Sequence, residues 1–279
     1  MPISAHHEIS RRDTDFRMDG QFQRKITDDL WKSGLGSELK ALKAFNDRDG
    51  WAAVTGSSFF DPVLNISREL DFAAHKHRFR QRNHQFLFNV TVSLIAEVKK
   101  SEKPWVVLHS SQWTTPELPF LMNSIIRSTA AVPMSDIQAA FAKGSVITAN
   151  KWFGHGVHEA FKKPNEHGRW FAAAAKTCRA SIAATQRPLL EFQSDTWVVE
   201  YVQPLILLDG QLIVASLDQT DEILLQDIPY ASVQFEERGS EAARAFVIDL
   251  VTVESLPSYI DQIERGFEHC FNLLAEYRS

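Results

Sequence analysis

No stretch of this chain approaches the roughly eighteen uninterrupted apolar residues that a membrane-spanning helix requires. The longest candidate, residues 197–217, is broken by Glu200, Gln203, Pro204, Asp209 and Gly210. Cysteine is scarce: Cys178 and Cys270 are the two in 279 residues, and neither belongs to a metal or redox spacing, so both read as buried thiols. An excess of positive charge is also missing. The net charge is −5 and the isoelectric point about 6.1, so any footprint for a polyanion must be local. No Gly-rich phosphate loop exists, which disfavours an NTPase, and Ser110-Ser111 and Gly144-Ser145 offer no nucleophile elbow. The ten histidines, among them His75 with His77, His155 with His158, and the isolated His84 and His167, show no recognised zinc-ligand spacing and read as surface or loop residues. The N-terminal stretch lacks the apolar core of a secretory signal. A polar arm over residues 1–24 and a cytoplasmic location are the corresponding expectations. There is no internal repeat and no low-complexity segment.

What remains is an ordinary globular composition, 44% apolar and 23% charged, with apolar residues spread along the sequence, enough for one large core over residues 25–279. Leu30, Leu35, Leu39, Leu42 and Phe45 recur at spacings of three to five and predict a helix from about Thr27 to Asn46, ended by Gly50. Extended segments are expected at 51–57 and 66–74, joined through Asp61 and Pro62, then at 90–99 and 105–108. Residues 109–167, rich in Pro and Gly, read as an irregular insertion with short helices near 118–128 and 135–142. A helix over 169–186 follows, and then a return to strands at 196–208, 211–217, 231–236 and 245–253, with an Asp209-Gly210 turn between the first two. A last amphipathic helix has Pro257 in its first turn and Tyr259, Ile260, Ile263, Phe267, Phe271 and Leu274 facing inward.

Two segments carry charges where the pattern otherwise reads as buried strand: RELDFAAHK at 68–76 and LIAEVKKSEKPWVV at 94–107. Glu97 and Lys99 are two apart, so on a strand they share a face, and Asp71 ends a strand expected to pair beside them. Converging carboxylates with a lysine suit phosphodiester hydrolysis. Mg²⁺ prefers oxygen ligands and keeps several waters, so Asp71, Glu97 and the backbone carbonyl of Val98 are candidate ligands, with Mn²⁺ as a substitute. Lys99 would orient the attacking water and balance charge on the phosphorane. Glu38, beside the Leu35, Leu39 and Leu42 stripe of the first helix, is placed to reach the metal directly or through water. Glu69 is a second acid in the same segment.

An acid on a first helix, an Asp at a strand end and Glu-x-Lys on the next strand resemble, over roughly residues 25–110, the PD-(D/E)XK nuclease superfamily, with Glu38, Asp71, Glu97 and Lys99 matching its four positions in order. EVKKSEKPWVV in particular looks like the third motif of uncharacterised stand-alone members. The resemblance implies an α/β fold with a restriction-endonuclease-like core, a mixed sheet flanked by helices in the order αβββαβ, here with an insertion and a β-rich C-terminal half. It implies Mg²⁺-dependent cleavage of DNA, less often RNA, and a homodimer where both strands of a duplex are cut. Leu70 stands where the family often has Pro. The family's later helix would map to 169–186, with Lys176 or Arg179 contacting phosphate.

Two bland readings stand beside these. A buried ion-pair network would explain the same charges, although such networks are costly to maintain. Lys76, Arg78, Arg80 and Arg82 alternate, so they share one face of an extended segment; they read equally as phosphate-backbone contacts or as a solvated edge that blocks aggregation. A nuclease fold without turnover, binding nucleic acid or a protein partner, is the alternative to an enzyme.

Overall fold

The computed structural model describes residues 19–83, 85–109, 125–145, 152–163, 168–189, 195–238 and 243–278. It is a mixed α/β molecule, mostly strands, in which eleven strands among the described residues join one sheet with helices packed on it.

The chain begins with two helices, α1 (Gly20–Ser33) and α2 (Leu35–Asn46). The single helix predicted over 27–46 is thus broken at Gly34, whose φ of 93° lies in the left-handed region that an α-helix cannot use. The expected polar arm also ends earlier than 24, because Asp19 caps α1 by accepting from the Gln21 N–H. A three-stranded antiparallel meander follows: β1 (Trp51–Asp61), β2 (Ile66–Arg82) and β3 (Gln85–Lys100). Asp61 closes the first turn by accepting from the N–H groups of Val63 and Leu64, both at 3.0 Å.

The segment read as an irregular insertion contributes two strands to the sheet and a helix packed on it. It supplies β5 (Ile125–Ser128), α3 (Met134–Ala142) and β6 (Phe153–Glu159), and β4 (Trp105–His109) leads into it. The helix expected at 118–128 is contradicted at its end, where residues 125–128 pair antiparallel with a later strand; residues 118–124 lie outside the described residues. Then come α4 (Arg169–Thr185), β7 (Trp197–Asp209), β8 (Leu212–Leu217), β9 (Ile223–Asp227), β10 (Tyr230–Arg238), β11 (Ala243–Thr252) and α5 (Leu256–Tyr277). Strand β9 has no counterpart among the expected strands.

The sheet order is β1-β2-β3-β7-β11-β10-β6-β4-β8-β9, and β5 pairs with β7 off this path. β7 runs parallel to β3 along its whole length, from Phe88↔Trp197 to Lys100↔Asp209. Along its other edge it pairs first with β5, at Val199–Val202, and then with β11, at Leu205–Leu208. A helix, a meander, a second helix and a parallel strand (α2, β1, β2, β3, α4, β7) are therefore contiguous in space, although residues 101–168 intervene between β3 and α4.

Two apolar clusters lie on the two faces of the sheet. On one, Val90, Val92, Leu94, Ala96 and Val98 of β3 pack with Ala41 and Phe45 of α2, Ile137 and Phe141 of α3, and Tyr259, Ile263 and Phe267 of α5. On the other, Ile95, Val202, Ile206 and Leu208 pack with Trp170, Ala173, Ala174 and Cys178 of α4. The period of two along β3 is what divides its side chains between the layers. Among the described residues, no helix is long and apolar enough to cross a membrane. Both cysteines are buried, as read from the sequence.

Candidate active site

Glu97 and Lys99 project from β3 toward α4, on the side opposite Val98. β2 pairs with β3 through Phe72↔Ala96, which brings Asp71 alongside the same end of β3. The three meet. Lys99 Nζ donates to Glu97 Oε2 at 2.7 Å, to Asp71 Oδ2 at 3.1 Å and to the Val98 carbonyl at 3.1 Å, while the Val98 N–H donates to Asp71 Oδ2 at 3.0 Å.

A second lysine completes the arrangement. Lys176 of α4 lies 3.1 Å from Asp71 Oδ1 and 2.5 Å from Glu97 Oε1. Two ammonium groups therefore bridge two carboxylates, one carboxylate from each of two neighbouring strands. Glu97 is only 2% exposed, and its Oε1, although ion-paired with Lys176, accepts no directed hydrogen bond. The sequence names Lys176 only as a phosphate contact, because spacing alone does not show which turn of α4 lies over β2 and β3. Arg179, the other residue considered there, is committed elsewhere: its guanidinium donates to Glu237 Oε1 at 2.6 and 2.8 Å and lies 3.6 Å from the buried Asp61.

The titration of these groups differs by environment. Burial works to raise the Asp71 carboxyl, but Lys99, the Val98 N–H and Lys176 outweigh it and hold the group below its usual range. For Glu97 burial wins, and the neighbouring Asp71 charge adds to it, so this carboxyl sits above its usual range despite both lysines. Burial would lower Lys99, yet the charges of Glu97 and Asp71 raise it. Glu38 belongs to the same electrostatic system: burial raises its carboxyl, and the charges of Asp71, Glu69 and Glu97 raise it further against Lys99. The first turn of α2 is held near the ends of β3 and β7 by a Ser37 hydroxyl hydrogen bond to Asp209. Glu69 is exposed, and Asp71 is the acid of its segment that the lysines contact.

The alternating cations of β2 separate from this cluster. Lys76 is five residues from Asp71, hence on the opposite face, where its ammonium meets Glu264 of α5 at 2.6 Å. Arg78 donates from Nη1 to both carboxylate oxygens of Glu268, at 2.8 and 2.9 Å, and its guanidinium lies 4.0 Å above the Phe271 ring. These two fasten α5 to the sheet, and the reading of Lys76 and Arg78 as phosphate contacts beside the site is corrected accordingly. Arg80 and Arg82 are exposed on the same strand beyond them.

In donor chemistry the set suits a hard divalent cation: one ionised carboxylate, a buried carboxylate oxygen without a directed donor, a backbone carbonyl and a nearby third acid. Among the described residues, however, no three His, Cys, Asp or Glu side chains stand close enough together to hold a metal by themselves, the lysines being the groups that bridge the acids. His84, His167, Ser110 and Ser111 lie outside the described residues. An open cleft of about 450 Å³ runs beside α4, lined by Phe171, Arg179, Glu236 and Glu237, none of which belongs to the cluster. No protein-family model, no curated protein and no solved structure matches this chain.

Proposed function

We propose that the protein is a divalent-metal-dependent nuclease with a restriction-endonuclease-like core formed by α2, β1, β2, β3, α4 and β7. The observation that carries the reading is the convergence of Asp71, Glu97, Lys99 and Lys176, from two adjacent strands and a crossover helix, with Glu38 electrostatically coupled to them. Four charged side chains from three elements at one strand end carry a desolvation cost that structure alone does not explain well.

Asp71, Glu97, the Val98 carbonyl and Glu38 would hold Mg²⁺ or Mn²⁺. When bound, such an ion polarises the phosphate and acidifies a water. Lys99, fixed by its two carboxylates and the Val98 carbonyl, is positioned to orient the water and to balance negative charge on the phosphorane oxygens. Lys176 neutralises the two acids in the absence of another cation and is free to turn to a substrate phosphate when one enters. Arg169 is seven residues from Lys176, two turns along the same face of α4 and about 10.5 Å away, roughly three nucleotides along a strand. It is half-exposed, ion-paired with the buried Glu159 at 3.3 Å, and donates to the Lys100 carbonyl and the Ser101 hydroxyl, so a phosphate would compete with Glu159 for it. Together they would track the backbone of nucleic acid, with DNA as the expected polymer.

The test is direct. Purified protein is incubated with plasmid, linear and single-stranded DNA and with RNA, in Mg²⁺ or Mn²⁺. Cleavage that disappears in Asp71→Ala and in Lys99→Ala supports the reading; no substrate cut by wild type and spared by both variants sinks it. One observation favours the alternative of a non-cleaving module: the lysines already neutralise the acids, and the described side chains form no ready metal cage. Salt-sensitive binding that needs no metal and survives Asp71→Ala would mark that case.

A further inference from the structure

Helix α1 has no buried residue, although its sequence is amphipathic. At 3.6 residues per turn, Phe22, Ile26 and Leu30 form one stripe. Phe22 is 55% and Ile26 37% exposed, and Leu30 is half-buried. The helix attaches to α2 by a different side. Trp31 projects away from the stripe, its ring filling the space that a Cβ on Gly36 would need, with the Lys40 ammonium 4.8 Å from its centroid. A fourteen-residue helix held chiefly at Trp31, with its apolar stripe turned outward, is marginal alone.

The charges beside the stripe indicate what covers it. Lys25 and Asp29 lie one turn apart on the same flank. Consider a second copy of α1 facing the first, antiparallel, about a twofold axis level with Thr27. That symmetry keeps each flank on its own side and reverses height, so Lys25 of each copy meets Asp29 of the other. Two identical ion pairs then line one flank of an interleaved set of six apolar side chains. A parallel copy would instead set this flank against Gln23 and Thr27, which carry no charge. We propose that α1 is a self-complementary docking surface through which two copies of this chain associate as an antiparallel helix pair.

The association is expected to be weak, because a helix about 21 Å long offers less than a standard interface. α1 is also tied to the strand that carries the site: the Trp31 carbonyl accepts from Lys100 Nζ at 2.6 Å, one residue beyond Lys99. A dimer formed here links two copies of that strand end. Its formation is independent of the proposed activity.

The experiment is sedimentation of full-length protein over a concentration series from about 2 to 200 µM, with charge-reversed variants. Wild type should pass from monomer to dimer. Lys25→Asp and Asp29→Lys each place like charges at both contacts and should weaken the dimer at least tenfold. In an equimolar mixture the two-acid flank of the first variant faces the two-base flank of the second. Both contacts then regain opposite charges, and a heterodimer as strong as wild type should form. Unchanged circular dichroism shows that the variants still fold. Monomer at every concentration, association indifferent to the reversals, or failure of the mixture to recover would each overturn the proposal.

Discussion

Lys99 and Lys176 hold the same two carboxylates but are expected to part company under substitution. Removing Lys99 should abolish cleavage while leaving Mn²⁺ affinity intact or higher, since a competing positive charge has gone. Asp71→Asn should lose both. Lys176→Met, which keeps the unbranched stem without the ammonium, should raise Mn²⁺ affinity, as the charge facing Glu97 Oε1 at 2.5 Å disappears. Calorimetric titrations of the three variants compare them, and equal affinity in all three would show that the cation binds elsewhere. A different carboxyl controls the acid side of stability. Asp249 is buried under α5, accepting from the Ser232 hydroxyl at 2.6 Å and the Tyr259 hydroxyl at 3.0 Å. Burial pushes it up to about 7 against both hydrogen bonds. Between the unfolded value of 3.8 and about 7, the folded chain keeps a proton that the unfolded chain has lost, so this group makes stability fall as pH rises through that window. The slope is about 1.4 kcal/mol per pH unit, flat above 7. Urea midpoints at several pH values should show wild type losing more than Asp249→Asn across the window. Glu97 and Lys99 were legible in the sequence because a strand's period of two fixes their common face. Asp249 was not, since its partners Ser232 and Tyr259 reveal themselves only when β10, β11 and α5 assemble.

At the level of elements, Lys76 and Arg78 of β2 pair with α5 on the face opposite the cluster, whereas Lys176 of α4 meets the cluster itself. Arg78→Ala should cost stability through the lost Glu268 ion pair and the Phe271 contact, in the range of about 1 to 2 kcal/mol, and leave the salt dependence of nucleic-acid binding unchanged. Arg169→Ala should instead lower the salt slope by about one. Filter-binding titrations at several salt concentrations, beside thermal melts, separate the two. The β2 stripe misled because its acidic partners lie about 190 residues downstream on α5, beyond any local pattern. The first helix misled for a smaller reason: the step of five from Leu30 to Leu35 turns about 140° on a helix, a phase jump that marks the break at Gly34, where φ is positive. Gly36→Ala should dislodge Trp31 from α2. Because no residue of α1 is fully buried, the unfolding midpoint should barely move while proteolysis near Gly34 accelerates. A large drop in midpoint would show that α1 matters more to the core than its exposure indicates.

Taken whole, the molecule keeps its two halves in one sheet through β7, whose β3 side carries the candidate site and whose far side continues through β11 to β9. The meander, the crossover helix and the returning strands other than β9 were legible in existence, because each carries an apolar run or repeat long enough to name its type, although β2 and β3 extend beyond the expected ends. The membership of β4, β5 and β6 was not, because short strands separated by Pro and Gly carry too little pattern to name their neighbours. The far end has a practical consequence. β9 closes the order with Ile223, Leu224 and Leu225 exposed at 70%, 52% and 64%, and no strand among the described residues pairs with its outer side. Unlike a twofold contact, an open edge imposes no stopping point, so concentrated or warmed solutions should grow turbid by edge-to-edge accretion. Leu224→Lys should delay the onset of light scattering on heating without shifting the unfolding midpoint, a charge at the rim acting as a gatekeeper on colloidal growth rather than on the fold.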